Sequence, residues 1–159
     1  MKSRTLAAFL LAMLILTSTA MAAPKPVIKA DSTAFDITTG QYLLKGNVSV
    51  QVNNRLITAG EAKVSIWSLE VWGAGGITLT QGDINFSGDT IYVNGGQNTA
   101  RVTGNVAFKR GSLTITADEA LYNWHSKHGV FSGNVNITQG DTSWTADSVG
   151  YNVETNDIQ

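Results

Sequence analysis

The 159-residue chain carries 11 basic and 12 acidic residues, a formal charge of −1, and no cysteine. No basic patch stands out, which argues against nucleic acid as a partner, and the lack of thiols excludes a disulfide scaffold and cysteine chemistry. The length suits one domain with its own core.

Lys2 and Arg4 precede an apolar run from Leu6 to Leu16, and Ala20-Met21-Ala22 forms an A-x-A pattern. Residues 1–22 therefore read as a signal peptide cleaved after Ala22. The run falls short of the roughly 20 residues needed to span a bilayer, so an exported chain is expected. Loss of Lys2 and Arg4 leaves 9 basic against 12 acidic residues, a charge of about −3. Pro24 and Pro26 make residues 23–29 a short extended lead-in. Residues 30–159 then form a single domain.

That domain is periodic. Gly46, Gly75, Gly104 and Gly133 stand 29 residues apart, and Asn53, Gly82, Gly111 and Gly140 form a second column at turn positions. Asp31, Asp89, Asp118 and Asp147 form a third, with Gly60 in the vacant second place. Phe35, Val64, Val93, Tyr122 and Tyr151 form an apolar fourth. Several columns in one period signal stacked supersecondary units. The clearest copy is Thr103 to Asn123, TGNVAFKRGSLTITADEALYN.

Within each unit apolar residues alternate with polar ones, the mark of half-buried strands. In chain order the inward-facing positions are Val48 and Val50, then Ile77 and Leu79, then Ile84 and Phe86. Val102, Val106 and Phe108 follow, with Leu113 and Ile115 beyond the turn, then Phe131, Val135 and Ile137, and last Trp144. The parity of the inner face slips at Asp118-Glu119 and Asp147-Ser148, which predicts an inserted residue and a corner there. The expected fold is all-β: an antiparallel jelly-roll-like sandwich of about four 29-residue two-strand repeats, open at both ends, with strands passing between facing sheets at the corners. The inward glycines fit either packing relief opposite large rings or a trough wide enough for an acyl chain. The second repeat departs from the rest: Trp67, Leu69, Val71 and Trp72 replace a polar turn, and either fold over the end of the core or meet a partner.

Signs of catalysis are missing. His125 and His128 lack further ligands nearby in sequence, so no metal is expected. Equivalent Asp residues, two strands apart, would lie about 10 Å from one another, too far to share a calcium ion held at about 2.4 Å. They read instead as corner residues accepting backbone N–H groups. No nucleophile triad, phosphate loop or cofactor motif occurs, and no enzyme activity is expected.

The recurring GNV-x-V, short turn and T-A-D with a following aromatic, in TGNVAFKRGSLTITADEALYN and SGNVNITQGDTSWTADSVGY behind a signal peptide, resembles the LptA/OstA family of periplasmic proteins. The resemblance covers about Ala30 to Tyr151. It implies a carrier of lipopolysaccharide, or a related outer-membrane lipid, from the inner to the outer membrane. The inward positions above would then line a groove for the acyl chains. It also implies partners of the same fold at both membranes and stacking end to end. Uncapped edge strands at the two ends of a repeat array invite such head-to-tail association, either as a homo-oligomer or with those partners. The competing reading is a structural β-repeat of the envelope that polymerises and binds no lipid.

Overall fold

Alternating β-branched and aromatic residues produce strands wherever the period places them. The structure, a computed structural model, describes residues 27–65 and 67–159. The signal peptide expected at 1–22 and the expected lead-in up to residue 26 lie outside the described residues. Among those described there are thirteen strands and no helix. The first four are β1 (Val27–Lys29), β2 (Ser32–Asp36), β3 (Gln41–Val52) and β4 (Arg55–Ser65). The second repeat supplies four short strands, β5 (Glu70–Ala74), β6 (Ile77–Gln81), β7 (Ile84–Gly88) and β8 (Thr90–Asn94). Then come β9 (Thr99–Arg110), β10 (Leu113–Asn123), β11 (His128–Gln139), β12 (Thr142–Asn152) and β13 (Asp157–Ile158).

All pairings are antiparallel, and the order β1-β3-β4-β5-β8-β9-β10-β11-β12-β13 follows the chain, with β2 beside β3 and β6 and β7 filling the gap between β4 and β9. The 11- and 12-residue strands bend at mid-length and serve two layers. One layer holds β2, β5, β8 and β13 with the halves of the long strands that lie on their side of the bend; the other holds β1, β6 and β7 with the remaining halves. The fold is thus an antiparallel jelly-roll-like sandwich. Val27–Lys29, placed by the sequence in the lead-in, is already sheet, paired with Ser49–Gln51.

The corner differs in detail from the expectation. The extra residue is not in the Asp strand but opposite it: Gly104-Asn105 face Asp118 alone, and Gly133-Asn134 face Asp147 alone. Both residues of each Gly-Asn pair take positive φ, which makes these bulges. At the corner these glycines make room for a carboxylate rather than for a large ring. A Cβ on Gly133 would stand 2.6 Å from the Asp118 carboxylate, and Gly46 and Gly104 face Asp31 and Asp89 as closely. The carboxylates accept the side-chain amides of Asn47, Asn105 and Asn134 at 2.9, 2.8 and 2.7 Å, rather than backbone N–H groups. In the second repeat Gly60 and Gly75 replace this pair by direct backbone contact; a Cβ on Gly60 would lie 3.0 Å from the Gly75 carbonyl.

Turns close the strands at the free edge of each layer, opposite the corners. In one layer, two-residue turns carry positive φ at Asn53, Gly82, Gly111 and Gly140 and not at the residue that follows, the signature of a type II′ hairpin. In the other, four-residue turns end in a left-handed residue at Gly40, Leu69, Asn98, Lys127 and Asn156, again 29 apart. Each of these turns is headed by Asp36, Ser65, Asn94, Asn123 or Asn152, whose side-chain oxygen accepts backbone N–H groups inside the turn. Successive turns are tied together, Gly95 N–H to Leu69 O at 2.8 Å, Trp124 to Asn98 at 3.1 Å and Val153 to Lys127 at 2.9 Å.

Candidate functional site

The two layers enclose an apolar interior that runs the length of the stack. Its first part is built on Tyr42, Val50, Val52, Val64, Val71, Val93 and Trp124. Its second is built on Val102, Val106, Phe108, Leu113, Ile115, Phe131, Val135, Ile137, Val149 and Tyr151. Of the inward positions read from the sequence, Val48, Val50, Ile77, Val102, Val106, Phe108, Leu113, Ile115, Phe131, Val135 and Ile137 are buried. Leu79, Ile84 and Phe86 are half-buried. Trp144 sits at the open end on β12 and is 38% exposed. The inward list missed Tyr42, Leu44, Val52 and Val71, although Tyr42 and Leu44 alternate just as their counterparts do.

In this conformation the interior is filled. Rings from opposite layers meet across it, Phe108 with Tyr151 at 4.8 Å and with Phe131 at 5.8 Å, and Phe86 with Phe131 at 6.5 Å. An open cleft of about 310 Å³ lies instead at the corner, lined by Asn105, Val106, Ala107, Thr116, Ala117, Asp118 and Asn134. It has mixed polar and apolar walls and does not enter the aromatic cluster.

The Trp-rich stretch divides. Val71 enters the core and Leu69 packs partly against it. Trp67 is 67% exposed, its ring laid over Gly40, where a Cβ would come within 2.6 Å. Trp72 faces outward, stacked near Tyr92 at 5.6 Å with the Lys63 ammonium 5.7 Å from its ring. Neither tryptophan folds over the end of the core.

Ionisable groups gather at the margin opposite the corners, where the two layers are not joined by chain. Burial holds the Arg55 guanidinium below its ordinary value, an effect that Tyr122 counteracts. Burial pushes the Tyr122 hydroxyl up, with Arg55 opposing and Glu154 reinforcing the rise. Lys127 is held down by burial, against the pull of Glu154. Arg110 is raised, chiefly by its hydrogen bond to Tyr151. His128 Nε2 lies 2.9 Å from Gln159 Oε1, and among the described residues no group of three His, Cys, Asp or Glu side chains could hold a metal.

The comparisons with known proteins match this geometry. The crystal structure of LptH, the LptA-homologous periplasmic component of the lipopolysaccharide transport device of Pseudomonas aeruginosa, superposes with a TM-score of 0.54 at 17% identity. The match covers 63% of this chain and 76% of that one; at such identity it carries the fold alone. No curated protein matches the sequence. The family described as OstA-like protein matches residues 26–159, every strand of the sandwich included, and the chain belongs to that family.

Proposed function

We propose that the protein is a non-enzymatic periplasmic lipid carrier that forms part of the bridge taking lipopolysaccharide, or a related outer-membrane lipid, from the inner to the outer membrane. The observation that carries this is the apolar interior, which extends from β3 to β12 between two layers joined by chain along one margin only. Acyl chains entering from the other margin would replace ring–ring and methyl contacts with contacts of the same kind, at little cost in hydrophobic free energy. Membership of the OstA-like family and the likeness to LptH support the reading. Photo-crosslinking residues at Phe108 or Ile137 should capture lipid from the native envelope, and the same residues at Asn105 or Asn136 should not. Equal labelling at both sets refutes a lipid interior.

End-to-end association with a second copy or with partners of the same fold belongs to this proposal. Beyond its short pairing with β13 at Tyr151 and Asn152, β12 has one open side, and open edges recruit strands. Counting antiparallel steps through the sheet, β2 and β12 run in the same direction, so stacking that keeps the orientation of the sandwich pairs them in parallel. The filled interior favours a second reading, a structural β-repeat that polymerises without lipid. The same crosslinking experiment separates the two.

A further inference from the structure

The free margin of the sandwich is bridged by one side chain. Arg110 is the last inward position of β9, in register with Val106 and Phe108, so a guanidinium stands where the apolar column would otherwise end. Its Nη1 donates to the Tyr151 hydroxyl at 3.1 Å and to the Val153 carbonyl at 2.7 Å, both on the opposite layer. Its Nε lies 3.4 Å from Asp83 Oδ2 on its own side. Among the described residues these are the only side-chain hydrogen bonds that join the two free margins. Directly beneath them lie Phe86, Phe108, Phe131 and Tyr151. The Tyr151 hydroxyl donates in turn to Asn156 Oδ1 at 2.5 Å, and the Val153 N–H is tied to Lys127 O, so the bridge is anchored in the stacked turns.

We propose that Arg110 is a latch over the interior, and that it is released by the anionic, phosphate-bearing head of the amphiphile whose chains the interior takes up. This rests on reading the interior as an acyl-chain site. Two of the three acceptors that Arg110 now uses are neutral, and the third is a long contact to an exposed carboxylate. A phosphate offers the guanidinium two parallel charge-assisted bonds, the stronger and geometrically matched pairing. Arg55, held by Gln81 at 2.7 Å, and Lys127 bring further positive charge to the same margin, where Glu154 faces Lys127 and Asp83 faces Arg110 itself. Opening has a hinge. On the opposite margin every second crossing between layers, at residues 46–47, 75–76, 104–105 and 133–134, runs through a Gly-Asn or Gly-Gly pair in the left-handed region. Swapping Tyr151 and Val153 for a phosphate therefore frees the margins to part while the corners stay closed. Recognition of the head and admission of the chains become one event.

The chain has no cysteine, so nitroxide labels at Ser112→Cys and Thr155→Cys, exposed turn positions on the two margins, report the gap cleanly. The probes are myristoyl lysophosphatidic acid, monomyristoylglycerol and inorganic phosphate. In the wild-type background a short distance should lengthen with lysophosphatidic acid. Monomyristoylglycerol should bind roughly tenfold more weakly, a difference of about 1.4 kcal/mol. Arg110→Met, which keeps the apolar stem, should show the long distance without ligand and no preference between heads. Tyr151→Phe should be partly open and keep the preference. A short distance in Arg110→Met, or an unchanged preference there, overturns the proposal. Full opening by inorganic phosphate alone makes free phosphate the key and overturns the lipid-head assignment. An open Arg110→Met that binds neither amphiphile refutes the acyl-chain reading and leaves the latch standing.

Discussion

At the scale of single residues, backbone conformation explains the period better than side-chain chemistry does. Every described residue with positive φ belongs to one of four 29-residue columns: the Gly and the Asn places of the corner, the hairpin turn, and the last residue of the four-residue turn. The columns differ in how much they demand. At Gly104 a Cβ would meet the left-handed penalty of about 1–2 kcal/mol, collide with the Asp89 carboxylate and disturb its bond from Asn105, worth about 1 kcal/mol more. At Gly111 the space around an added Cβ is empty, so only the conformational penalty applies. Urea denaturation should therefore show Gly104→Ala costing about 1 kcal/mol more than Gly111→Ala. Equal costs would show that the carboxylate does not confine the corner.

At the scale of elements, each repeat is two strands, a tight hairpin turn in one layer and a four-residue turn in the other. The second repeat breaks its strands into β5 with β6 and β7 with β8 because Gly75-Gly76 and Asp89 interrupt the ladders. Its corner has lost the Asp–Asn pair, and close Gly60–Gly75 backbone packing takes its place. The four-residue turns tolerate varied residues in a left-handed site, Lys127 among them at φ 61. Lys127→Gly relieves about 1–2 kcal/mol of left-handed strain and loses part of it to the greater freedom of the unfolded chain. A net stabilisation of roughly 0.5–1 kcal/mol is expected by thermal or urea unfolding. Destabilisation would mean that contacts of the Lys127 stem outweigh the strain.

For the whole molecule, the proposed carriage of lipid requires a filled sandwich to open. One margin is continuous chain and the other is held by the Arg110 side chain, so the proposed opening would leave the β ladders within each layer intact. At the far end Trp144 stands on the open edge of β12, with Thr142, Ser143 and Thr145 also exposed around it. In an end-to-end assembly this ring would be buried against the first strands of the next molecule. Trp144→Glu should lower association by at least tenfold in sedimentation experiments, about 1.4 kcal/mol, while leaving the melting temperature of the monomer nearly unchanged. Unaltered association would remove this edge from the contact.

The period, the hairpin turns, the inward face of the strands and the all-β class were legible in the sequence because each needs a particular residue type at a fixed spacing: Gly or Asn for positive φ, alternation for a half-buried strand. The resemblance to the LptA/OstA family rested on the same motifs and anticipated the family match. The column from Asp36 to Asn152 and the column from Gly40 to Asn156 escaped notice because several residue types perform each job, so only the shared backbone geometry reveals them. The sequence could locate the corner but not assign its extra residue, since a parity slip in one strand says nothing about which of two paired strands carries the bulge. Arg110 was legible only as a charge beside a turn. Its hydrogen bonds reach 41 and 43 residues along the chain, and only the packing of one layer over the other brings that guanidinium to Tyr151 and Val153.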